Sequence, residues 1–478
     1  MRSHFDDPST STSQRGFVAK FNTDGGIIWS TPFGAAETAI TGMDFDNLGR
    51  LVVCGESESY LPPEFEALPP SYHHEPYHGG LYDGFLAVFN GSDQLMWRTH
   101  YGGSDQDDAI DVRCAANKIV LVLQTSSDDV PLQDGGNYAH DAGYSGYLDA
   151  ALVEFNLSGV RAWATYYGGG DEDWVGAGSN GYSSDNAVDI NPVTGNIYVV
   201  GNTYSDDLPE VDGPGWYDNT FDTGSGWIAA FSGQNRALIW STYYGDGYTS
   251  LNLVRVTPGF PSTIYVAGEK RNESGIPIQA STSDWYQQPA MSLDDDVEPE
   301  KDAMITAWNA GSNTLLWSTW FGGVAGNGGD RIVGLAHFGT EILICGSTSK
   351  GVDNFTFFPL TDPVGESDYF DGTYNDIQRG DAFIAHICPM TSVGVESTAS
   401  MRSNGISLFS LSKGLFDFVV NSEERSAYSV VDARGRLIAT GWTLQGSGRC
   451  RLDMTASAPG MYTLAVVGVG VLRFAVVR

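Results

Sequence analysis

The chain repeats itself, and the repeat limits what it can fold into more than any other feature. Five segments carry a Trp-x-Thr-x-aromatic-Gly motif (WSTPFG, WRTHYG, WATYYG, WSTYYG, WSTWFG), starting at Trp29, Trp97, Trp163, Trp240 and Trp317. Successive motifs stand 68, 66, 77 and 77 residues apart. A strand-like run precedes each one: GFVAKF, GFLAVF, AALVEF, GWIAAF and AMITAW. A sixth such run, AFIAHI, ends at Ile387 with no Trp motif behind it. After each motif comes a Gly/Asp-rich loop and then two more strands, the second clearest in RLVVCG, NIYVVG, TIYVAG and EILICG. One unit is therefore four short strands, here named a, b, c and d. Ala187–Ile190 and Asn196–Gly201 are an a and a b strand, the run before the Trp is c, and the Trp run is d.

A lone four-stranded unit cannot cover its own faces, so the units must stack. The c strands show how. Their last position holds Phe21, Phe89, Phe155, Phe231, Trp308 and Ile387, and three residues back stands Val18, Leu86, Leu152, Ile228, Ile305 or Ile384. Successive strand residues point to opposite faces, so both faces of these strands are apolar. That is the pattern of a sheet sandwiched between neighbours, as in a propeller blade. There are five a–b pairs, six c strands and five d strands. If the d strand at Trp29 completes the last unit, the ring closes with five blades and the c strand at Gly16–Phe21 is surplus. Five or six blades are thus expected. The surplus strand, and an N-terminal MRSHFDDPSTSTSQR without the apolar core of a signal peptide, lead us to expect further sequence upstream.

The cycle Asp-Ala-Phe-Ile-Ala, Trp-Ser-Thr-Tyr-Tyr-Gly, Gly-Asn-Ile-Tyr-Val-Val-Gly-Asn-Thr resembles the SBBP type of β-propeller repeat over roughly residues 15–390. That resemblance implies a propeller and an extracellular setting, and it implies no catalytic residue.

Charge divides the chain. Residues 392–478 hold nine Lys/Arg and six Asp/Glu, a net of +3; the whole chain is −34, which leaves −37 for residues 1–391. A body that acidic repels phosphate backbones and anionic lipid, so no nucleic-acid partner is expected. Residues 392–400 (SVGVESTAS) read as a linker, and 401–478 hold seven strand-like runs from Ile406 to Val477 at sandwich spacing. The 19 uncharged residues 454–472 approach the length of a membrane span. Pro459, Gly460, Gly468 and Gly470 break them into two strands instead, so no transmembrane helix is expected.

This tail resembles the C-terminal sorting domain of the type IX secretion system. The matching residues are Lys413-Gly414-Leu415-Phe416, Tyr428 through Arg436, Arg451-Leu452-Asp453-Met454, Pro459-Gly460-Met461-Tyr462 and Arg473 through Arg478. Ser410-Leu411-Ser412 stands where the family usually has Pro-Asn-Pro, and Arg473 where it commonly has Lys. The resemblance implies a partner, the outer-membrane secretion machinery, and a secreted or cell-surface destination. The expected fold is therefore all-β: residues 1–391 a β-propeller of five or six four-stranded blades, followed by a small β-sandwich.

No pattern of nucleophile, phosphate loop or dinucleotide loop occurs, so we expect no enzyme and assign no catalytic or cofactor-binding residue. Five cysteines, at 54, 114, 345, 388 and 450, form no CxxC. Cys54 and Cys345 occupy matching strand positions and are expected to be small buried residues. The a–b and c–d turns are tight, which leaves the long b–c and d–a loops as the binding face. Those loops hold Asp105, Asp107, Asp108, Asp171, Glu172 and Asp173, the run Asp294-Asp295-Asp296, and the aromatic pairs Trp216-Tyr217 and Trp285-Tyr286. Their carboxylates suit Ca²⁺, a hard cation, or simply make turns. Their aromatics suit a glycan or protein ligand, or simply pack on the loops. His73-His74-Glu75-Pro76-Tyr77-His78 has the residue types of a zinc site, but it reads better as a polar loop tip. A secreted hydrolase using two loop-face carboxylates is the rival reading.

Overall fold

In the computed structural model the described residues run from 16 to 476. They exclude 35–36, 59–72, 74, 137–138, 141, 177–185, 259–261, 272–275, 281–300, 323–328, 339–340, 349–380 and 388–399. In the last part of the chain they also exclude 404–405, 413–414, 421–425, 433–436, 443–448, 455–456, 458–459 and 467–469. The chain forms two compact units, Met1–Thr391 and Ser392–Arg478. Every regular element among the described residues is a strand.

The first unit is a β-propeller of consecutive antiparallel sheets. Its first sheet pairs β1 (Gly16–Phe21) with β2 (Ile27–Phe33). The second runs β3 (Thr38–Phe45), β4 (Leu51–Ser57), β5 (Asp83–Phe89), β6 (Leu95–Tyr101). The third runs β7 (Asp107–Ala115), β8 (Lys118–Thr125), β9 (Asp149–Asn156), β10 (Arg161–Tyr167). In the fourth, the a strand is split into β11 (Asp173–Val175) and β12 (Val188–Ile190). Both pair with β13 (Ile197–Thr203), which leads to β14 (Ser225–Phe231) and β15 (Leu238–Tyr244). The fifth is β16 (Thr249–Val256), β17 (Thr263–Arg271), β18 (Lys301–Asn309), β19 (Leu315–Phe321), and the sixth β20 (Asp330–Phe338), β21 (Glu341–Thr348), β22 (Asp381–Ile387).

These strands reproduce the repeat, with one difference. The Trp29 strand, β2, pairs with β1 and not with β22. Among the described residues the last sheet therefore has three strands, the first has two, and the five-bladed closure does not form. Local chemistry explains the pairing: Asn22 sits in the turn between β1 and β2, and its Oδ1 accepts from the amides of Asp24 (3.1 Å) and Gly26 (2.7 Å). Asn90 and Asn156 close the equivalent c–d turns in the same way. A side chain that bonds its own backbone two and four residues on fixes a tight hairpin, and a hairpin forms more readily than a contact across the whole ring.

The motif Trp locks one sheet to the next. Trp97 meets Phe155 edge-on with ring centroids 5.3 Å apart, and Trp163 meets Phe231 at 5.6 Å. In each pair the d-strand Trp of one blade packs on the last c-strand residue of the next. Trp97, Trp163, Trp240 and Trp317 are all buried. Strands β5 and β14 are buried at every position, as the two-faced apolar pattern requires.

The end sheets behave differently. Phe17 and Ile384 are 73% and 84% exposed, because no described neighbour covers the outer faces of β1 and β22. Cys345 is exposed for the same reason, contrary to expectation, whereas Cys54 at the matching position is buried inside.

The second unit is a sandwich of two four-stranded sheets. One is β23 (Ser400–Ser403), β24 (Ile406–Ser412), β25 (Leu415–Val420), β28 (Arg449–Asp453). The other is β27 (Leu437–Trp442), β26 (Ala427–Asp432), β29 (Gly460–Val466), β30 (Gly470–Val476). It has eight strands, not seven, because β23 starts inside the expected linker. Phe416, Phe418, Val430, Leu452 and Leu464 lie in its core. The apolar stretch after Met454 forms the hairpin β29–β30, and no helix among the described residues is long and apolar enough to cross a membrane.

Candidate functional site

The described parts of the long b–c loops lie against their own blades. Each described b–c segment lies along the outer d strand of its own blade: Glu75 bridges to His100, Gln133 to Ala164 and Val211 to Ser241. In the fifth sheet, the amide of Gln279 donates to Ser318 Oγ. These straps cover the exposed edge that a four-stranded blade would otherwise offer. The motif Trp holds them, since the indole N–H of Trp97 donates to His73 O (2.7 Å) and that of Trp163 to His140 O (3.0 Å).

The histidine cluster is part of such a strap rather than a loop tip. His73 Nε2 lies 3.2 Å from Glu75 Oε1, Arg161 Nη1 lies 3.7 Å from the same oxygen, and His78 Nδ1 stands 2.8 Å from Gly102 O. Among the described residues no three His, Cys, Asp or Glu side chains converge as a metal site. His74 lies outside the described residues. Trp216 is likewise structural: it wedges between Tyr244 and Trp308, with ring centroids 5.5 and 5.3 Å away. Tyr217 donates to Glu210 Oε2 at 2.7 Å. Trp285-Tyr286 and Asp294-Asp295-Asp296 lie outside the described residues.

The d–a loop acids divide by burial. Asp105 and Asp171 are exposed, and Asp108 and Glu172 are half-buried. Asp107 and Asp173 are fully buried and organise their loops in the same way. Asp107 Oδ2 accepts from Gly103 N (2.7 Å) and Ser127 Oγ (2.8 Å); Asp173 Oδ2 accepts from Gly169 N (2.6 Å) and Ser205 Oγ (2.9 Å). Each also faces a second buried carboxylate at the start of the preceding c strand. Burial, opposed by a hydrogen bond from the His78 amide and reinforced by Asp107, pushes Asp83 up to about 7. Asp149, beside Asp173, is pushed to about 7 in the same way.

One other pair converges. Burial and a hydrogen bond with Asp108 push Glu56, on β4, up to about 8.

A recess lies at the propeller axis, at the tight-turn end. It holds about 330 Å³ and is lined from all five a strands, by Asp44 (β3), Arg113 (β7), Asp189 (β12), Arg255 (β16) and His337 (β20) among others. The first four share one register position, opposite Val52, Val120, Tyr198 and Tyr265 on their b strands. Acid and base therefore alternate around the axis. The acids staple neighbouring blades: Asp44 Oδ2 accepts from Cys114 N (2.8 Å) and Asp189 Oδ2 from Val256 N (2.7 Å). Arg113 reaches forward to Val188 O and Asn186 Oδ1.

Arg255 is held differently. Its Nη1 donates to Val254 O of its own strand at 2.9 Å, and its side chain lines the recess beside Asp189 and Asp111. Burial and the neighbouring Arg113 lower it to about 10, so it stays charged at neutral pH. Burial lowers His337 and raises Asp189 and Asp111, the last to about 6. The sequence reading missed this site because it searched loops; the signal was the a-strand column Asp44, Arg113, Asp189, Arg255.

No protein-family model matches the chain, and no curated protein matches it. Among solved structures, a glycoside hydrolase family 32 protein from Bifidobacterium adolescentis aligns with 91% of this chain and 75% of its own. The identity is 10% and the TM-score 0.24, a likeness that carries no argument about function.

Proposed function

We propose that the chain is a secreted or cell-surface, non-catalytic propeller protein that serves as a binding or adhesion scaffold, with its C-terminal sandwich directing export. The observation that carries the binding reading is the axial recess. There, charged side chains from four a strands and His337 from the fifth converge, with Arg255 among the lining residues. An alternating Arg/Asp lining suits a polar ligand with both acceptors and donors, as on a glycan or a protein surface. Trp216 supports the same assignment by elimination, since its ring is spent on inter-blade packing. The test is a glycan and peptide array probed with the wild-type propeller and with Arg255→Ala. Binding that drops at least tenfold in the variant supports the reading; binding that ignores the substitution, or none at all, sinks it.

Glu56 and Asp108 favour a second reading, a hydrolase, because two adjacent carboxyls with one pKa raised can divide acid and base roles. Polysaccharide and peptide turnover by wild type that Glu56→Gln abolishes would establish it and overturn the first.

A further inference from the structure

We propose that the buried carboxylate pairs Asp83–Asp107 and Asp149–Asp173 each hold one hard divalent cation, Ca²⁺ by preference, at the junction of two blades. All four side chains have no exposed surface. In each pair one residue opens a c strand and the other the next blade's a strand: Asp83 opens β5 and Asp107 opens β7, Asp149 opens β9 and Asp173 opens β11. The glycine after the d strand keeps room between them. A Cβ on Gly168 would stand 2.5 Å from Asp149 Oδ1 and 2.9 Å from Asp173 Oδ2.

Two independent observations point to a cation. The first is that Asp83 Oδ1 is buried without a hydrogen-bond donor among the described residues, and Asp107 Oδ1 and Asp149 Oδ1 make no hydrogen bond of full geometry, with Thr125 and the Gly146 amide beside them. None of the four residues forms an ion pair with Lys or Arg among the described residues. Buried charge of this kind needs a counter-charge.

The second is the next junction, where the chain supplies its own. There Ser225 and Thr249 replace the two carboxylates, at the start of β14 and β16. Lys270, fully buried, pairs with Thr249 across the ladder, as Thr125 pairs with Asp107 and Thr203 with Asp173. Its ammonium sits among three oxygens, Asp246 O (2.5 Å), Asp246 Oδ1 (2.6 Å) and Gly247 O (2.9 Å). The junction without the carboxylate pair thus carries a fixed cation, whereas at the Asp83–Asp107 and Asp149–Asp173 junctions neither carboxylate pairs with Lys or Arg among the described residues.

The donors decide the ion. Around Asp107 and Asp173 stand the hydroxyls of Ser127, Thr203 and Ser205, so the set is all oxygen, and two carboxylates match a divalent charge. Ca²⁺ accepts such an irregular set and completes it with water, whereas Mg²⁺ demands near-ideal octahedral geometry.

The experiment is calorimetric titration of chelator-treated full chain with CaCl₂ at pH 7 and pH 8. Asp83→Asn and Asp149→Asn are titrated in parallel. The proposal expects saturable Ca²⁺ binding by the wild-type chain. Each Asn variant should lower the number of bound Ca²⁺ by one. If a variant fails to fold, wild-type Ca²⁺ stoichiometry and a Ca²⁺-dependent rise in melting temperature still decide the matter. No binding at millimolar Ca²⁺, or a stoichiometry unchanged in both variants, would overturn it and assign the pairs to shared protons. Because Arg255 is untouched, failure here leaves the axial binding reading standing.

Discussion

Asp83 and Asp149 make the metal-free protein sensitive to pH. Each carboxyl rises from 3.8 to about 7 on folding, chiefly because burial disfavours its charged form. Between those values the folded chain holds protons that the unfolded chain has released, so stability falls as pH rises. The contribution is complete below about pH 4 and gone above about pH 7, with a slope of about 1.4 kcal/mol per pH unit for each retained proton. Urea melts in chelator from pH 4.5 to 8 should show that fall, and Asp83→Asn/Asp149→Asn should flatten it. A wild-type profile that rises with pH would contradict the burial argument. These roles were only partly legible in the sequence. Asp107 and Asp173 stood out as loop acids, but Asp83 and Asp149 stand just before the runs GFLAVF and AALVEF, where the sequence pattern marks nothing. Only the fold brings the start of one blade's c strand against the next blade's a strand.

Strands were legible and straps were not. Hydrophobic period and the Trp motif give each strand locally, and five a, five b, six c and five d strands appear as the repeat predicts. The b–c segments have no period, and their pairing to strand d depends on proximity that the fold creates. Trp163 joins the two levels, since its ring packs on Phe231 of the next blade and its N–H holds His140 O in the strap. Trp163→Phe should therefore cost about 1–3 kcal/mol, mostly from the lost hydrogen bond. Trp163→Ala should cost about 3–5 kcal/mol through the cavity as well. Limited proteolysis should also open the strap near Gln133–His140 in the Phe variant. Equal stability loss with no new cleavage there would show that the indole N–H does not hold the strap.

Across the first unit, burial is graded rather than uniform, and this is the part that repeat counting could not reach. A strand's sequence states which face is apolar but not whether a neighbour covers it, which is why Cys54 is buried and Cys345 is not. Middle sheets have both faces covered, and β8, β9, β13 and β14 are almost wholly buried. In β22, Ile384 is 84% exposed, and among the described strands β22 pairs with β21 alone. In repeat architectures stability is close to a sum of unit and neighbour terms, so a sheet with one neighbour has lost one of its two interface contributions. Hydrogen exchange reports such local opening free energies directly. Amides of β8, β9, β13 and β14 should exchange slowest, and those of β1, β2 and β22 at least about tenfold faster, a difference of about 1.4 kcal/mol or more. Uniform protection from β2 to β21 would mean that the sheets open as one cooperative body, and that the outer faces of β1 and β22 are covered in solution.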